Sequence, residues 1–559
     1  MLRLGWLGAA LGCAALWMWW SLAPSLSPNV LQDDARQHVV WMQRLADPGA
    51  FPHDLYADYF ASQAPVGFAA LFRVLLLFGD PITVSKWLPP VLGLAAAAGT
   101  FLVVERLYPS PVAAFCASVL GSWYVWQYDD LPTGSPRAFL LPLTTLLLYG
   151  MVAGWRWWAI VGVVALEALV YPSAAALGVA FVGARLVSVR GWLPRLPQDW
   201  RAWRAAVGSG VVVLVLLAPT VFGSSPFGPA VDGRAAREQP EFGPRGRSAV
   251  FFPDPYAYWV VSYRTGFDLR ITDAAQANVP IFYELLLLSG TLLVALALHG
   301  LRPVGPPLAP ALLLLAHVLT ASLGLWLLAH VVLFRLYLPA RFVAWTVPLV
   351  LAMAAGIGIG ALLERLGLVL RRWLGGAVAR TVPAALALLL AAGLAAYPAQ
   401  FSGNFVEDPT PAITAYLRTL PLDALVVGVP TEADSVPAFA GRRVLANREY
   451  SLPYHVGYYR EVDTRLRDQI RAYYADTPGP LVEFAARYGV TVFLVNRAAF
   501  DPATAADAWA GSFEPYGSMV QERVEKGRRF ALLDAVRRCG VLTERDVTVV
   551  LAACLAASR

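Results

Sequence analysis

Paired carboxylates stand just beyond the first apolar run of this chain. Asp33 and Asp34 open the stretch DDARQHVVWMQRLADPG, in which Val39, Met42 and Leu45 recur at helical spacing. A carboxylate in this place can act as a general base on a hydroxyl or amine, or help to hold a divalent cation beside a phosphate. The pair could instead only cap the amphipathic helix that follows it. The pair alone leaves both interpretations open.

A second acidic pair lies in the segment WQYDDLPTGSPRAFLLP. Asp129 and Asp130 precede Arg137, and apolar runs flank all three residues. Charges this close to a bilayer are costly unless they line a wet cavity, which favours a role in substrate binding over a solvated turn. Two acidic pairs on one face of a membrane indicate function more strongly than either pair does alone.

Two arginines bracket a tyrosine in the segment HVVLFRLYLPARFVAWTVP. Arg335 and Arg341 stand on either side of Tyr337. A guanidinium suits a phosphate, because it offers two parallel charge-assisted hydrogen bonds and stays charged at a membrane boundary. Both arginines could also be snorkelling anchors that flank a span. Because the positive-inside rule disfavours arginine on the outer face, we expect them to bind substrate.

The elements that must position these residues are mostly membrane helices. The chain has 559 residues, of which 58% are hydrophobic and 15% are charged, and its mean hydropathy is +0.55. Soluble domains carry about 25% charged residues. Each spanning helix needs roughly 20 apolar residues. We predict eleven spans, near residues 4–24, 84–106, 111–127, 138–154, 157–171, 172–187, 205–222, 281–299, 308–329, 341–364 and 380–398.

The connections between these spans predict which loops share a face. Arg-rich connections at 185–204, 299–302 and 365–380 are expected in the cytoplasm. Residues 1–400 then form the membrane domain, with outer loops at 25–63, 128–137, 223–280 and 330–341, and residues 401–559 form an extracytoplasmic, periplasmic domain. The apolar stretch 64–79 is short and carries Arg73, so we expect it to be interfacial or re-entrant. Counting it as a span would move the C-terminal domain to the cytoplasm.

The C-terminal region has the pattern of a soluble α/β domain. Strand-like runs such as VTVFLVN alternate with helix-like segments such as PLVEFAARYG. The region contains no nucleophile elbow, P-loop or dinucleotide fingerprint. One polar segment includes Asp434, Arg448, Glu449 and Tyr450. We nevertheless expect the domain to stabilise the protein or bind a partner, and to take no part in the chemistry.

Charge, cysteine and histidine content narrow the function further. The net charge of +6 lies in the membrane half, and no basic cluster is interleaved with stacking aromatics, so no nucleic-acid partner is predicted. The histidines are too scattered for a metal site, and His38 and His455 are expected to be lone surface residues. Metal-type spacing is also missing from the cysteines, so neither a disulfide framework nor a zinc site is expected among Cys13, Cys116, Cys539 and Cys554.

The first outer loop carries a motif that resembles one of a known family. This chain shows Asp33-Asp34-Ala35-Arg36, then ADPGAFP, then Gln63-Ala64-Pro65-Val66 and Leu77-Phe78-Gly79. Aminoarabinose lipid A transferases and rhizobial-type lipopolysaccharide glycosyltransferases, both of the GT-C superfamily, carry a similar order: Asp-Glu-x-Arg, an amphipathic helix, a Gly-Asp-x-x-x-Pro-like turn, and Lys-Pro-Pro-Leu opening a short helix that ends in Phe-Gly. Two positions depart, since Asp34 replaces the Glu and Gln63 replaces the Lys assigned to lipid phosphate.

The resemblance implies a polytopic α-helical fold of the GT-C type and a glycosyltransferase in the inner (cytoplasmic) membrane. Such an enzyme transfers a sugar from a polyprenyl-phosphate-linked donor to an extracytoplasmic lipid, glycan or protein acceptor, with inversion. The resemblance makes Asp33 and Asp34 catalytic and places a divalent cation, Mg or Mn, on Asp33 and Asp130. The substrate-binding residues that it implies are Arg36, Asp129, Asp130, Arg137, Arg335, Tyr337 and Arg341.

Two other functions stay open. Charges within a membrane also mark the path of a transporter or a flippase of lipid-linked glycans, although the spans show no internal repeat. The second open function is that of a scaffold that kept the architecture and lost its activity. Gln63 in place of the family's Lys supports this alternative. Replacing Asp33 by Asn separates an enzyme from such a scaffold.

Overall fold

The membrane half of the chain consists of helices joined by loops. The computed structural model describes residues 2–128, 130–190, 193–195, 199–267, 281–301, 305–396, 404–509, 513–527 and 529–557. The first elements are α1 (Leu2–Leu22), β1 (Val30–Gln32), α2 (Ala35–His38), α3 (Gln43–Ala46), α4 (Leu55–Gln63), α5 (Val66–Leu75) and α6 (Pro81–Leu107). They are followed by α7 (Pro111–Trp126), α8 (Leu140–Val152), α9 (Trp157–Val170), α10 (Pro172–Ala184), β2 (Ser188–Arg190), β3 (Leu193–Arg195) and α11 (Trp200–Phe222). The half ends with α12 (Gly233–Arg237), α13 (Ile281–Leu301), α14 (Ala309–Val331), α15 (Thr346–Leu374) and α16 (Val378–Ala396).

All eleven predicted spans coincide with helices. Within the described residues, six helices are long and apolar enough to cross a membrane, namely α1, α6, α11, α14, α15 and α16. The shorter apolar helices are α5, α7, α8, α9, α10 and α13. The structure therefore confirms a polytopic helical membrane protein.

Helix α5 is too short to cross a bilayer unaided. It has ten residues, which at about 1.5 Å per residue is about 15 Å, or half of the roughly 30 Å hydrocarbon core. Phe68 and Phe72 are buried, whereas Arg73 and Val74 are exposed. These features support the interfacial or re-entrant placement expected for residues 64–79.

The centre of the bundle is α7, which packs against α1, α6 and α15. Small residues allow the closest of these contacts. A Cβ added at Gly356 or Gly360 of α15 would overlap Ala117 or Ala113 of α7. Lipid tails are as apolar as side chains, so helices in membranes associate by such close packing rather than by a hydrophobic driving force.

The C-terminal domain is an α/β unit, as the sequence predicts. Its first elements are β4 (Phe405–Glu407), α17 (Pro411–Arg418), β5 (Leu425–Val427), α18 (Pro430–Ala433), α19 (Val436–Phe439), β6 (Arg443–Val444), α20 (Val456–Tyr473) and α21 (Pro478–Tyr488). Its last are β7 (Val492–Asn496), α22 (Ala505–Ala508), α23 (Tyr516–Lys526), α24 (Ala531–Cys539), β8 (Gly540–Glu544), β9 (Val547–Leu551) and α25 (Ala552–Ala557). The five-stranded sheet has the order β6-β5-β7-β9-β8, in which β5 is parallel to β6 and β7, and β9 is antiparallel to β7 and β8.

The domain docks on the first predicted outer loop through a short ladder. Strands β1 and β4 are antiparallel, with Val30 opposite Glu407 and Gln32 opposite Phe405. The long loop after α11 joins the same face, because the amide of Val231 donates to the Tyr454 carbonyl at 2.9 Å. The C-terminal domain and these two outer loops therefore lie on one side of the bundle.

One expectation about the cysteines is wrong. Cys539 and Cys554 form a disulfide within the C-terminal domain, with their Cα atoms 5.7 Å apart. The β8-β9 hairpin turns the chain back between them, so that two cysteines fifteen positions apart meet at its ends. The number of residues between the two cysteines matches no known motif. They meet because β8 pairs with β9.

Candidate functional site

Three carboxylates from the two domains converge where β1 ends. Asp33 and Asp34 follow β1 directly, and Glu449 comes from the loop after β6. One oxygen from each lies within 4.8 Å of the others. The site is thus built from residues more than 400 positions apart.

Asp34 does not serve as a helix cap. It occupies the N-cap position of α2, but its side chain makes no capping hydrogen bond. Its carboxylate instead forms an ion pair with the Arg137 guanidinium. The structure therefore does not support the capping interpretation for Asp34.

Arg137 links the first two predicted outer loops. It lies on a 3-10 turn just before α8. One of its terminal nitrogens pairs with Asp34, and the other lies 3.0 Å from Oδ1 of Asp130. The second oxygen of Asp130 accepts a hydrogen bond from the Trp345 indole at 2.7 Å. Asp129, its predicted companion, lies outside the described residues.

Arg36 joins the membrane domain to the C-terminal domain. Its Nη2 contacts Oδ1 of Asp33 and lies 3.1 Å from Oε2 of Glu449. The neighbouring Gln37 donates its side-chain amide to the other oxygen of Glu449. Arg247, from the long loop after α11, reaches the same carboxylate at 3.1 Å. Although burial opposes ionisation, the Arg36 and Arg247 guanidiniums hold the pKa of Glu449 below its ordinary value.

A buried carboxylate fixes the loop that carries Glu449. Oδ1 of Asp434 accepts the backbone amides of Arg448 and Glu449, each at 2.9 Å. Burial raises the pKa of Asp434 to about 6. The position of Glu449 is therefore set by its backbone as well as by its ion pairs.

Arg341 lies beside this network with few contacts of its own. Its Nη1 is 3.9 Å from Oδ1 of Asp130, and its guanidinium faces the rings of Tyr337 and Trp345 at 5.7 and 5.6 Å. Only 20% of the side chain is exposed. Among the described residues it makes no side-chain hydrogen bond. Arginine has five N–H donors, so a largely buried guanidinium in this state is suited to an anionic ligand.

The loop before Arg341 has unusual backbone geometry. Phe334 and Tyr337 have φ values of 70° and 62°, in the left-handed region that side chains other than glycine seldom adopt. Such strain is often found at functional sites. The loop presents Tyr337, whose ring meets Tyr454 of the C-terminal domain at 5.4 Å. Arg335 is exposed and makes no ion pair or side-chain hydrogen bond within the described part of the chain.

His38 also belongs to this neighbourhood. Burial and the nearby Arg341 guanidinium lower the pKa of His38 to about 4, so the ring is neutral at pH 7. His455 likewise has a partner, since its Nδ1 lies 2.9 Å from the Tyr59 hydroxyl. Neither residue is the lone surface histidine expected from the sequence, because the docked C-terminal domain covers the loop that carries His38.

The structure gathers most of the residues proposed from the sequence and adds one from the C-terminal domain. Asp33, Asp34, Arg36, Asp130, Arg137, Tyr337 and Arg341 lie in one connected region, whereas Arg335 stands apart. Glu449 was not expected to contribute. Its local signal was the polar segment that also includes Asp434, Arg448 and Tyr450.

Comparisons with known proteins agree on the architecture. No protein-family model and no curated protein matches the sequence. A structure of the oligosaccharyltransferase AglB from Archaeoglobus fulgidus, in complex with an inhibitory peptide and a dolichol-phosphate, is 14% identical, with 92% of this chain and 72% of that chain covered and a TM-score of 0.50. The chain has the GT-C fold.

A second structure supports this assignment. The Archaeoglobus fulgidus oligosaccharyltransferase in complex with Zn and sulfate is 12% identical, with 91% of this chain and 70% of that chain covered and a TM-score of 0.50. At such identities the likeness shows the fold alone. Within this GT-C architecture, the carboxylate and arginine network lies between the helical bundle and the C-terminal domain.

Proposed function

We propose that this protein is a glycosyltransferase that moves a sugar from a polyprenyl-phosphate-linked donor to an extracytoplasmic lipid, glycan or protein acceptor. One observation carries the proposal: Arg341 is largely buried, makes no side-chain hydrogen bond among the described residues, and lies next to the carboxylate network. A lipid phosphate would supply the acceptor oxygens that this guanidinium lacks. The dolichol-phosphate that accompanies AglB is a compound of this class.

The carboxylates differ in how accessible they are. The Asp33 side chain is 34% exposed, against 21% for Asp34 and 2% for Glu449. All three carboxylates are paired with arginine, and Asp33, as the most exposed of them, is the one that an acceptor can reach most easily. We therefore assign the general base to Asp33, with Asp34 holding Arg137 in place.

These residues account for the proton, the bonds and the leaving group of the proposed reaction. The acceptor hydroxyl gives its proton to Asp33, and its oxygen attacks the anomeric carbon from the side opposite the phosphate. The bond between that carbon and the phosphate oxygen breaks with inversion, and the polyprenyl phosphate keeps the electron pair. Arg341, beside Arg137 and Tyr337, stabilises the charge that develops on the departing phosphate.

A divalent cation fits the carboxylate group by ligand type. Oxygen ligands suit Mg or Mn, and Asp33, Asp34 and Glu449 offer three within 4.8 Å of one another. This grouping supports Asp33 as a ligand and favours Asp34 and Glu449 over Asp130 as its companions. Bound there, the cation would supply positive charge beside the phosphate, and it would share the carboxylates with Arg36.

The disulfide supports an extracytoplasmic C-terminal domain. Disulfides persist mainly in oxidising compartments and are uncommon in the cytoplasm. The pair Cys539 and Cys554 therefore favours the orientation that the positive-inside rule predicts. We propose that the protein lies in the cytoplasmic membrane with this domain and the site on its outer side.

The function is tested with the purified protein in lipid nanodiscs. It is supplied with a panel of polyprenyl-phosphate-linked sugars and membrane glycolipid acceptors, and the release of polyprenyl phosphate is followed by mass spectrometry. Loss of the general base in Asp33→Asn should reduce turnover by at least about 100-fold. Asp58→Asn is the matched control, because Asp58 lies in the same loop and, among the residues that the structure describes, forms its ion pair with Arg44 at 2.6 Å and none with the site. A transporter or a scaffold would show no release by the unmodified protein, or release that Asp33→Asn leaves unchanged.

A further inference from the structure

The segment that carries the proposed base is attached to the C-terminal domain by its backbone. The ladder between β1 and β4 ends at Gln32, one residue before Asp33. The next amide continues the attachment, since Asp33 N–H donates to the Asn404 carbonyl at 2.9 Å. Asp33 therefore takes its place from β4 of the C-terminal domain as much as from α1.

A second attachment is made by side chains. Glu449 is 2% exposed and pairs with Arg36, and it accepts a hydrogen bond from Gln37. The hydroxyl of Tyr450 donates to the carbonyl of Arg36 at 3.1 Å. Helix α2, which begins two residues after Asp33, is thus held on one side by two consecutive residues of the C-terminal domain.

Arg36 is shared between two carboxylates, and this sharing affects whether Asp33 can act as a base. Nη2 of Arg36 contacts both Asp33 and Glu449, so each carboxylate receives part of its donor capacity. If Glu449 were neutral, the same guanidinium could turn fully onto Asp33. A carboxylate occupied by a bidentate arginine is less available to an acceptor hydroxyl.

We propose that Glu449 is a positioning residue, through which the C-terminal domain holds Arg36 partly away from Asp33 and keeps that carboxylate available to the acceptor. This inference rests on the proposed function of Asp33. It assigns to the C-terminal domain a direct part in turnover, transmitted by one buried ion pair. It also predicts that turnover depends on Glu449 but that phosphate binding without a cation does not, because no ion pair or hydrogen bond joins Arg341 to Glu449 in the described part of the chain. The Kd is therefore compared with divalent cations chelated.

The test compares two Glu-to-Gln changes in the full chain. Glu449→Gln removes the charge that faces Arg36. Glu432→Gln is the matched control, because Glu432 is also buried in the C-terminal domain but accepts a hydrogen bond from Asn496 at 2.9 Å, and within the described residues no ion pair joins it to Arg36 or Arg247. Turnover, the Kd for farnesyl phosphate, and hydrogen exchange of residues 33–38 are measured for each in nanodiscs.

The expected results separate positioning from general support. Glu449→Gln should reduce kcat by at least about tenfold, leave the Kd for farnesyl phosphate within about twofold, and speed hydrogen exchange in residues 33–38. Glu432→Gln should change none of the three. Equal kcat in both variants, or a Kd that rises with the loss of kcat, would overturn the proposal.

Two further measurements keep the test decisive. If Glu449→Gln does not fold, Arg36→Lys replaces it, because lysine keeps the charge but lacks the second donor, Nε, that also bonds the Asp33 carbonyl at 3.3 Å. With this variant kcat should again fall with little change in Kd. If the unmodified protein shows no turnover, the proposed function fails, and the exchange of residues 33–38 still reports whether Glu449 fixes that segment.

Discussion

Replacing Arg341 by Gln should weaken the binding of a polyprenyl phosphate by about 150-fold. Among the described residues, the carboxylate paired with Arg341 is 3.9 Å away and the Arg341 side chain makes no hydrogen bond, so a phosphate can be bound there without breaking one. A hydrogen bond to a charged group contributes about 1.5–3 kcal/mol, and a bidentate contact offers two. Taking the lower value for each gives about 3 kcal/mol, which is about 150-fold in Kd.

The assay is isothermal titration of the protein in nanodiscs with farnesyl phosphate. Arg341→Lys keeps the charge without the fork, and its Kd should rise by only about tenfold. Arg335→Gln is the matched control from the same loop, and because its side chain is exposed we expect a change within about twofold. Farnesol, which lacks the phosphate, should bind all four proteins alike. Equal losses for Arg335→Gln and Arg341→Gln, or no loss for either, would refute the assignment of the phosphate to Arg341.

Two other predictions concern the C-terminal domain. Burial raises the pKa of Glu432 to about 7 from an ordinary value of 4.5, so the folded state holds a proton that the unfolded state releases, and stability should fall by up to about 3 kcal/mol as the pH rises from about 4.5 through 7. Glu432→Gln should flatten this fall, which thermal melts between pH 4 and 8 would show, and parallel curves for the two proteins would contradict it. In spheroplasts, a membrane-impermeant maleimide should label Cys539 and Cys554 only after treatment with an impermeant reductant, because we propose that their disulfide is extracytoplasmic. Labelling that requires lysis would place the domain in the cytoplasm.

The sequence was sufficient to predict the membrane helices. Each predicted span coincides with a helix because the signal, a long apolar run, is local and is imposed by the bilayer on the backbone. The sequence also predicted an interfacial or re-entrant placement for the short stretch 64–79, and its ten helical residues cannot cross the hydrocarbon core. The α/β character of the C-terminal domain also followed from local alternation of strand-like and helix-like segments.

The site could be predicted only where function constrains short segments near the membrane. Asp34, Asp130, Arg137 and Arg341 were named because charges at a bilayer boundary need a reason, and the structure joins them. Glu449 could not be predicted, because its partner Gln37 is 412 positions away and nothing in its own segment marks a contact between domains. The disulfide was missed for a related reason, since the register of β8 on β9 brings its cysteines together.

The charged groups of the site fit the proposed conversion of a phosphodiester donor into a phosphate monoester product. Arg36, Arg137 and Arg247 each lie 3.0–3.1 Å from a carboxylate oxygen, whereas Arg341 lies 3.9 Å from Oδ1 of Asp130. A donor phosphodiester carries one negative charge, which Arg341 can match. The product is a phosphate monoester, which gains a further negative charge near neutral pH. Once Asp33 has returned its proton to water, that extra charge faces an ionised carboxylate, and the repulsion favours release of the spent carrier. In the proposed reaction, the same network would therefore bind the donor and weaken its hold on the product.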